Sequence, residues 1–283
     1  MTVCVGALCL KKGETAYVCA SDLLVSVDNQ SLSAAHEAHH AKTSFLGPRW
    51  LMSFSGDVSC DIEVQARTSS ALEGNDAPTA TEVMQAVEAA YRDARRRRID
   101  GILSIYSIDE DAFLRKGRKW FGIQKFSEIW YQIENCWPNT FLVGGYNKGG
   151  TDGHVFTVSS QGAAFQDHVG FAAIGSGFAA ATTMLYETYK SRLSLPAAIA
   201  RVLEAKFLAE RSPFVGEKTI VNIVTSNGEH AVLLPDDLAP IRKMWSRRGE
   251  EYEGEAAHTI VEALKKSPIV ELGGEILAMD DLG

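Results

Sequence analysis

The sequence predicts a layered α+β domain whose strands pair antiparallel. Short turn sequences divide apolar runs into hairpins, as Asn227-Gly228 does within "TIVNIVTSNGEHAVLL", and such a dipeptide favours a tight hairpin turn. Helical segments occur in two pairs, each placed between groups of strands. This order of elements is typical of an α+β layer architecture.

The first twenty-two residues predict a β-hairpin. Val3 to Leu10 is rich in small and apolar residues, Lys12-Gly13 supplies the turn, and Thr15 to Ser21 returns. With that turn, Val3 faces Asp22, so Asp22 lies beside the first two residues of the chain. The prediction depends on register, because a slip of one residue moves every side chain to the other face of the sheet.

The next segment, Ser26 to Ala41, is polar and is interpreted as a loop. It contains His36, His39 and His40 beside Glu37. A metal site is one interpretation of this group. An exposed loop is favoured, because the sequence offers no second cluster of ligands. We therefore predict no metal and no other cofactor.

A second hairpin is predicted over "KTSFLGPRWLMSFSGD", Lys42 to Asp57, with its turn at Gly47-Pro48. A helix follows from Asp57 to about Leu72. Another begins in "NDAPTATEVMQAVEAAYRDARRRR", where Thr79 and Glu82 have the spacing of a capping box. Apolar residues then recur at helical spacing.

The remaining elements repeat this alternation. "TFLVGGYN" and "HVFTVSSQG" form a third hairpin, and a helix opens at the Gly-Ser-Gly turn of "GSGFAAATTMLYETYKSRLSL". "SLPAAIARVLEAKFLAERS" follows as a helix with Ser194 as N-cap and Pro196 in its first turn. The charged tail after Pro235 is predicted to carry one amphipathic helix, near Glu255 to Lys266.

Composition excludes several classes of partner. The chain has 283 residues and a net charge of −8, which disfavours nucleic acid and anionic membranes. Arg95 to Arg98 form a basic run, but it ends a predicted helix, where cations complement the helix dipole. No apolar stretch is long enough to span a bilayer.

Cysteine usage and the first residues predict a cytoplasmic protein. The five cysteines are odd in number and contain no Cys-x-x-Cys pair, which predicts free thiols in a reducing compartment. The N-terminal residues lack the charged and then apolar pattern of a secretory signal.

Several motifs, in this order, resemble the proteasome β-subunit family of N-terminal nucleophile (Ntn) hydrolases. They are "MTVCVGA", "VCASD", "AKTSFLGPRWLMSFSGD", "FLVGGYN", "AAIGSGFAA" and "VNIV". The likeness is greatest to bacterial relatives that begin with Met-Thr. It implies a four-layer αββα sandwich over residues 1–234, with an insertion at about 99–139. Residues 235–283 are then a C-terminal extension, part of the same unit.

The resemblance also implies a threonine nucleophile. Thr2, exposed by removal of Met1, would supply the attacking hydroxyl, and its α-amine, with an ordinary pKa of about 7.7–8.0, would be the base. Asp22 matches the family's catalytic aspartate and Lys42 its catalytic lysine. The lysine's charge would stabilise the alkoxide, and Asp22 would hold the lysine in place.

Four more positions are carried over from the family. Gly56 matches the glycine whose backbone N–H forms the oxyanion hole, and Ser176 matches the serine that hydrogen-bonds the terminal amine. Phe54 and Val58 match residues of the first substrate pocket, at its floor and wall. A bulky phenylalanine at the floor predicts a shallow apolar pocket.

The sequence departs from the family pattern near the amine-binding serine. Arg211 is retained, but Ser212 replaces an aspartate and Val215 replaces a serine, so some polar support is missing. Asp57 stands where a small residue usually follows Gly56. Taken singly, each matching residue also has an ordinary structural interpretation as a turn, cap or surface residue.

The function predicted from these motifs is a cytoplasmic threonine-type peptidase or amide hydrolase. The resemblance implies a homo-oligomeric ring, a peptide or unfolded-protein substrate, and an ATP-dependent unfoldase as a partner. A non-catalytic ring protein and an Ntn amidohydrolase acting on a small molecule remain alternatives. Cys4 is a rival nucleophile, although a buried strand cysteine is the favoured interpretation. The aromatic residues of the insertion predict a local core or a subunit contact.

Overall fold

The computed structural model describes residues 2–11, 14–29, 32–37, 42–150, 152–190, 193–213, 215–247 and 252–266. The strands within them are β1 (Val3–Lys11), β2 (Glu14–Asp22), β3 (Leu24–Asn29), β4 (Leu32–Glu37), β5 (Thr43–Phe45), β6 (Trp50–Ser55), β7 (Thr140–Tyr146), β8 (Gly153–Ser159), β9 (Gly162–Phe165), β10 (Phe171–Gly175), β11 (Thr219–Thr225) and β12 (His230–Leu233). The helices are α1 (Val58–Leu72), α2 (Ala80–Ser104), α3 (Glu110–Glu134), α4 (Phe178–Thr188), α5 (Leu195–Ala209), α6 (Pro235–Arg247) and α7 (Tyr252–Lys266).

Two antiparallel sheets of five strands form the centre of the molecule. The first has the order β10-β1-β2-β11-β12 and the second the order β5-β6-β7-β8-β9. The hairpins predicted from the sequence are the pairs β1–β2, β5–β6, β7–β8 and β11–β12. The antiparallel α+β class is therefore confirmed.

The alternation of side chains along the strands produces four layers. On β1, Val3 and Val5 pack in a core shared with α4, α5, α6 and α7, whereas Cys4 and Leu8 face the second sheet. On β6, Trp50 packs against α1 and α2. Since each sheet buries both faces, the result is the αββα sandwich that the family resemblance implies.

The prediction of a loop over Ser26 to Ala41 is wrong for most of that segment. β3 and β4 form a separate two-stranded sheet in which Leu24 pairs with Glu37 and Asn29 with Leu32. The physical reason is visible in "LVSVDN", where apolar and polar residues alternate with the period of a strand. His39 and His40 lie outside the described residues, and the described part contains no cluster of three or more His, Cys, Asp or Glu.

The segment predicted as an insertion, about 99–139, contains the end of α2 and all of α3, which bends at Gly122 where φ is +73°. These helices bury their own apolar cluster: Ile99, Leu103, Phe113, Ile129, Ile133 and Cys136. Phe121, Phe126 and Trp130 pack against it, whereas Trp120 is half exposed. A local core, one of the two predicted alternatives, is thus present.

The C-terminal segment has two helices, α6 and α7, and the prediction of one helix near Glu255 is incomplete. α6 begins at Pro235, which is tolerated in a first turn. It buries Leu238 and Ile241, and α7 buries Ile260, in the core shared with α5. The sequence analysis did not predict this helix because Pro235 and Pro240 both disfavour a helix interior. No helix in the described ranges is long and apolar enough to cross a membrane.

Candidate active site

The β1–β2 hairpin has the predicted register. Cys9 pairs with Ala16 and Lys11 with Glu14, so Thr2, just before β1, lies beside Asp22 at the end of β2. The Val3 backbone N–H donates to Asp22 Oδ1 at 3.1 Å. This register therefore determines which residue of β2 lies beside the beginning of β1.

Three predicted residues form one buried cluster at this point. The Thr2 hydroxyl donates to Asp22 Oδ1, and Lys42 Nζ donates both to Thr2 Oγ1 and, at 2.9 Å, to Asp22 Oδ1. Thr2, Asp22 and Lys42 are 3%, 0% and 4% exposed. A buried cation beside a hydroxyl stabilises the alkoxide that forms when the proton leaves.

The second oxygen of Asp22 accepts a hydrogen bond from another element. The Gly216 backbone N–H donates to Asp22 Oδ2 at 3.0 Å. Both carboxylate oxygens are thus occupied by donors, as a buried charge requires. Gly216 lies in the connection from α5 to β11, a contact that spans 194 residues and has no short-range sequence signal.

Gly56 adopts a conformation that suits glycine alone. Its φ is +126°, and a Cβ there would lie 2.7 Å from Asn139 Cγ and Oδ1. Asn139 also binds Asp57, the residue after Gly56. Its Oδ1 accepts from the Asp57 N–H at 3.1 Å, and its Nδ2 donates to the Asp57 carbonyl at 2.8 Å. Sequence analysis missed Asn139, because the contact joins residues 82 positions apart.

Asp57, the departure from the family pattern, has a local role. It is the N-cap of α1, and its Oδ1 accepts from the backbone N–H groups of Ser59 at 2.7 Å and Cys60 at 3.1 Å. This satisfies two of the free N–H groups at the helix start. The residue after Gly56 therefore begins the helix.

Ser176 also reaches Thr2, through the backbone. Its hydroxyl donates to the Thr2 carbonyl at 3.2 Å. At the preceding residue, Gly175, φ is +94° and a Cβ would lie 2.1 Å from that same carbonyl. The Gly-Ser pair thus packs directly on the first residue of the proposed site, and the contact with a free amine stays a prediction.

Ser212 and Val215, which the sequence analysis predicts to replace polar residues of the family, make no hydrogen bond to Thr2 in the described part of the chain. Val215 is buried in the apolar core with α5. A buried lysine, Lys206, contacts the same connection between α5 and β11. Lys206 Nζ donates to the Gly216 and Glu217 carbonyls at 2.7 and 3.1 Å, and burial lowers its pKa to about 8. Sequence analysis did not single out Lys206, because a lysine on a helix usually faces solvent.

Phe54 and Val58 contact one apolar cluster between the second sheet and α1. Phe54 is 1% exposed and packs with Cys60 and Val64, and Val58 lies at the edge of the same cluster. Their place in a substrate pocket stays a prediction.

Cys4 lies near Asp22 and Lys42, but it is poorly suited as a nucleophile. Its thiol donates to the Phe54 carbonyl at 3.3 Å. Burial raises the pKa of the Cys4 thiol well above its ordinary value, and a buried neutral thiol is unreactive. All five cysteines are free and buried.

The sequence model of the proteasome subunit family matches residues 132–224. That range includes Ser176 and begins after Thr2, Asp22 and Lys42. No curated protein matches the chain. Among solved structures, a Gly-1 mutant of Anbu from Hyphomicrobium sp. strain MC1 superimposes with a TM-score of 0.58 at 16% identity, over 97% of this chain and 100% of that one. The chain thus shares the fold of that Anbu structure and is similar to proteasome subunits over residues 132–224.

Proposed function

We propose that this chain is a proteasome-like Ntn hydrolase that cleaves peptide or other amide bonds with Thr2. The single observation that carries the proposal is the buried contact of the Thr2 hydroxyl with Asp22 and Lys42. The match to proteasome subunits and the shared αββα fold support it. Removal of Met1 is part of the proposal, because the reaction needs the free amine of Thr2.

In the proposed reaction, the Thr2 amine takes the hydroxyl proton as Oγ1 attacks the carbonyl carbon. Lys42 stabilises the developing alkoxide, and Asp22 holds Lys42. The Gly56 N–H donates to the oxyanion of the tetrahedral intermediate, and such a donor contributes about 3–4 kcal/mol. The amine then protonates the leaving nitrogen, and water hydrolyses the acyl-Thr2 ester.

We also propose a cytoplasmic homo-oligomeric ring that acts on peptides or unfolded proteins, with an ATP-dependent unfoldase as partner. A non-catalytic ring protein is the second candidate. Val215 favours it, because this apolar side chain stands where the family has a serine that supports the amine. The two candidates differ in whether Met1 is removed and whether turnover occurs.

Intact-mass measurement and turnover of fluorogenic peptides test the proposal together. We expect the mass to lack one methionine, Thr2→Ala to abolish turnover, and Thr2→Ser to retain part of it. Thr225→Ala, at the far end of β11 from Asp22, is the matched control and should keep full activity. Retained Met1, or no turnover by the wild-type protein, would favour the non-catalytic candidate, and equal turnover by wild type and Thr2→Ala would exclude Thr2 as the nucleophile.

A further inference from the structure

The carboxylate of Asp22 is connected to the C-terminal helices by a chain of polar contacts. Its Oδ2 accepts from the Gly216 N–H at 3.0 Å. The Gly216 and Glu217 carbonyls accept from Lys206 Nζ, on α5, at 2.7 and 3.1 Å. One fully buried ammonium group thus binds two successive carbonyls of the segment that holds Asp22.

Glu210 and Arg242 continue this chain to α6. Lys206 Nζ also donates to Glu210 Oε1. Arg242 binds the Glu210 carboxylate through its two terminal nitrogens, Nη1 at 2.5 Å and Nη2 at 2.8 Å. Its Nη2 also donates to the Glu217 carbonyl. Its guanidinium lies 4.3 Å from the centre of the Phe207 ring. A bidentate arginine is strongly directional, so these contacts fix the position of Glu210.

The arrangement anchors the backbone directly after the Gly216 N–H. Gly216 has no side chain that packing could hold, and its backbone is the most permissive of any residue. Two hydrogen bonds from Lys206 restrict the Gly216–Glu217 and Glu217–Lys218 peptide groups, which directly follow the peptide group that carries the Gly216 N–H. A buried cation is unfavourable unless it is paired and hydrogen-bonded, and Lys206 satisfies that condition through Glu210 and these carbonyls.

We propose that Lys206, Glu210 and Arg242 form a positioning network through which α6 holds Asp22, and thereby Lys42, in place for catalysis. The inference rests on the proposed function for its kinetic part. Within it, α6 stabilises the site through Asp22 Oδ2, the oxygen that Thr2 does not contact. The network supplies polar support at the segment where Ser212 and Val215 depart from the family pattern.

Hydrogen exchange and kinetics test the network with four variants. Lys206→Met removes the carbonyl contacts, and Arg242→Gln, at a partly exposed residue, is the variant that is safer for folding. Arg201→Met is the matched control, because it removes the ion pair with Glu204 from the same helix α5. Arg242→Lys, which keeps the charge, should restore part of any loss.

In the two network variants, we expect the Gly216 amide to exchange roughly tenfold faster, because its hydrogen bond to Asp22 is weakened. We expect kcat to fall by about 10–10²-fold with KM unchanged, the result of a misplaced catalytic group. Arg201→Met should change neither quantity. Thermal unfolding of each variant separates this effect from loss of the fold.

The two proposals fail in different ways. If the wild-type protein hydrolyses peptides and Arg242→Gln leaves both kcat and Gly216 exchange unchanged, the network does not position Asp22. If the wild-type protein hydrolyses nothing, the proposed function is wrong, and Gly216 exchange alone decides whether Lys206 and Arg242 hold the Asp22 segment. An equal loss of kcat in Arg201→Met would also overturn the network, since the effect would then be general to α5.

Discussion

The ammonium group of Lys42 lies 2.9 Å from the carboxylate of Asp22, and both are almost completely removed from solvent. The Thr2 hydroxyl contacts the two groups at once. Lys42 and Asp22 therefore neutralise each other while placing a positive charge next to the hydroxyl, an arrangement that stabilises fold and proposed nucleophile together.

Removal of either charge should damage both stability and activity. We expect Lys42→Met and Asp22→Asn each to lose about 3–5 kcal/mol of unfolding free energy, because each substitution removes one charge of the buried pair and leaves the other charge buried. Turnover should fall sharply in both. Urea unfolding and peptide hydrolysis measure the two effects.

The double variant should lose less activation free energy than the sum of the singles, because the pair acts as a unit. Lys265→Met is the control, since it breaks an exposed pair with Glu262 that contributes under about 1 kcal/mol. Strictly additive losses for Lys42 and Asp22 would contradict the cooperation of the two residues.

Gly56→Ala should destabilise the protein and reduce activity through the Asn139 contact. The substitution adds backbone strain of about 1–3 kcal/mol at positive φ, and its Cβ would collide with Asn139. Gly74→Ala is the matched control, because Gly74 also has positive φ, +79°, with no atom within 4 Å. The difference between the two variants in urea unfolding measures the collision, and equal losses would show that Asn139 simply moves away.

Asp61, on α1, should make the protein less stable as pH rises from 4 to 7. Burial raises its pKa to about 7, so between the unfolded value of about 3.9 and 7 the folded state binds more protons than the unfolded state. The free energy of unfolding then falls with pH and levels off above 7.

Asp61→Asn should therefore be nearly neutral at pH 4 and stabilising at pH 8, by on the order of 4 kcal/mol. Urea unfolding at the two pH values gives the comparison. Asp93→Asn, at an exposed position of α2, is the control and should show no such difference. A variant that is equally stable relative to wild type at both pH values would refute the assignment.

The proposed shallow apolar pocket predicts cleavage after small or medium apolar residues. A charged side chain would lose hydration there, at a cost of several kcal/mol. A positional-scanning peptide library measures the preference, and dominant cleavage after Lys, Arg, Asp or Glu would refute it.

Phe54→Ala should shift that preference toward aromatic residues and reduce stability by about 3–5 kcal/mol. Phe113→Ala, in the cluster between α2 and α3, removes an equally buried ring far from Thr2 in sequence. This control should lose similar stability and keep the wild-type preference. If both variants keep it, Phe54 does not reach the pocket.

The proposed ring predicts an assembly well above dimer size. Light scattering on the purified protein at micromolar concentration measures it. Trp120, half exposed on α3, offers apolar contact area of the kind enriched at interfaces, so Trp120→Glu should weaken the assembly if α3 lies at a contact. A stable wild-type monomer would contradict both ring candidates.

Local patterns predicted the elements that carry the Thr2 site. Taking Lys12-Gly13 as the turn predicted the register in which Thr2 lies beside Asp22. The capping box at Thr79 predicted the start of α2, and both of its hydrogen bonds are present. These features depend on residues close in sequence, so the chain displays them directly.

The contacts that hold the site in place depend on distant residues and were not predicted. Asn139 reaches Asp57 across 82 positions, and Gly216 reaches Asp22 across 194. Neither an asparagine nor a glycine indicates, from the sequence alone, which distant residue it contacts. α6 was missed for a different reason, because Pro240 resembles a helix break until burial of Leu238 and Ile241 outweighs it.

The end of α2 and the helix α3 share a core of their own, separate from the clusters of the sandwich, whereas the first part of α2 packs against the second sheet. A segment whose apolar contacts are mainly internal opens as a unit, with a free energy below that of global unfolding. We therefore expect amides around Phe113 and Ile129 to lose their protection together and earlier than those of β1. Changes in the length or the surface of this helical segment should then leave the structure around Thr2 unaltered.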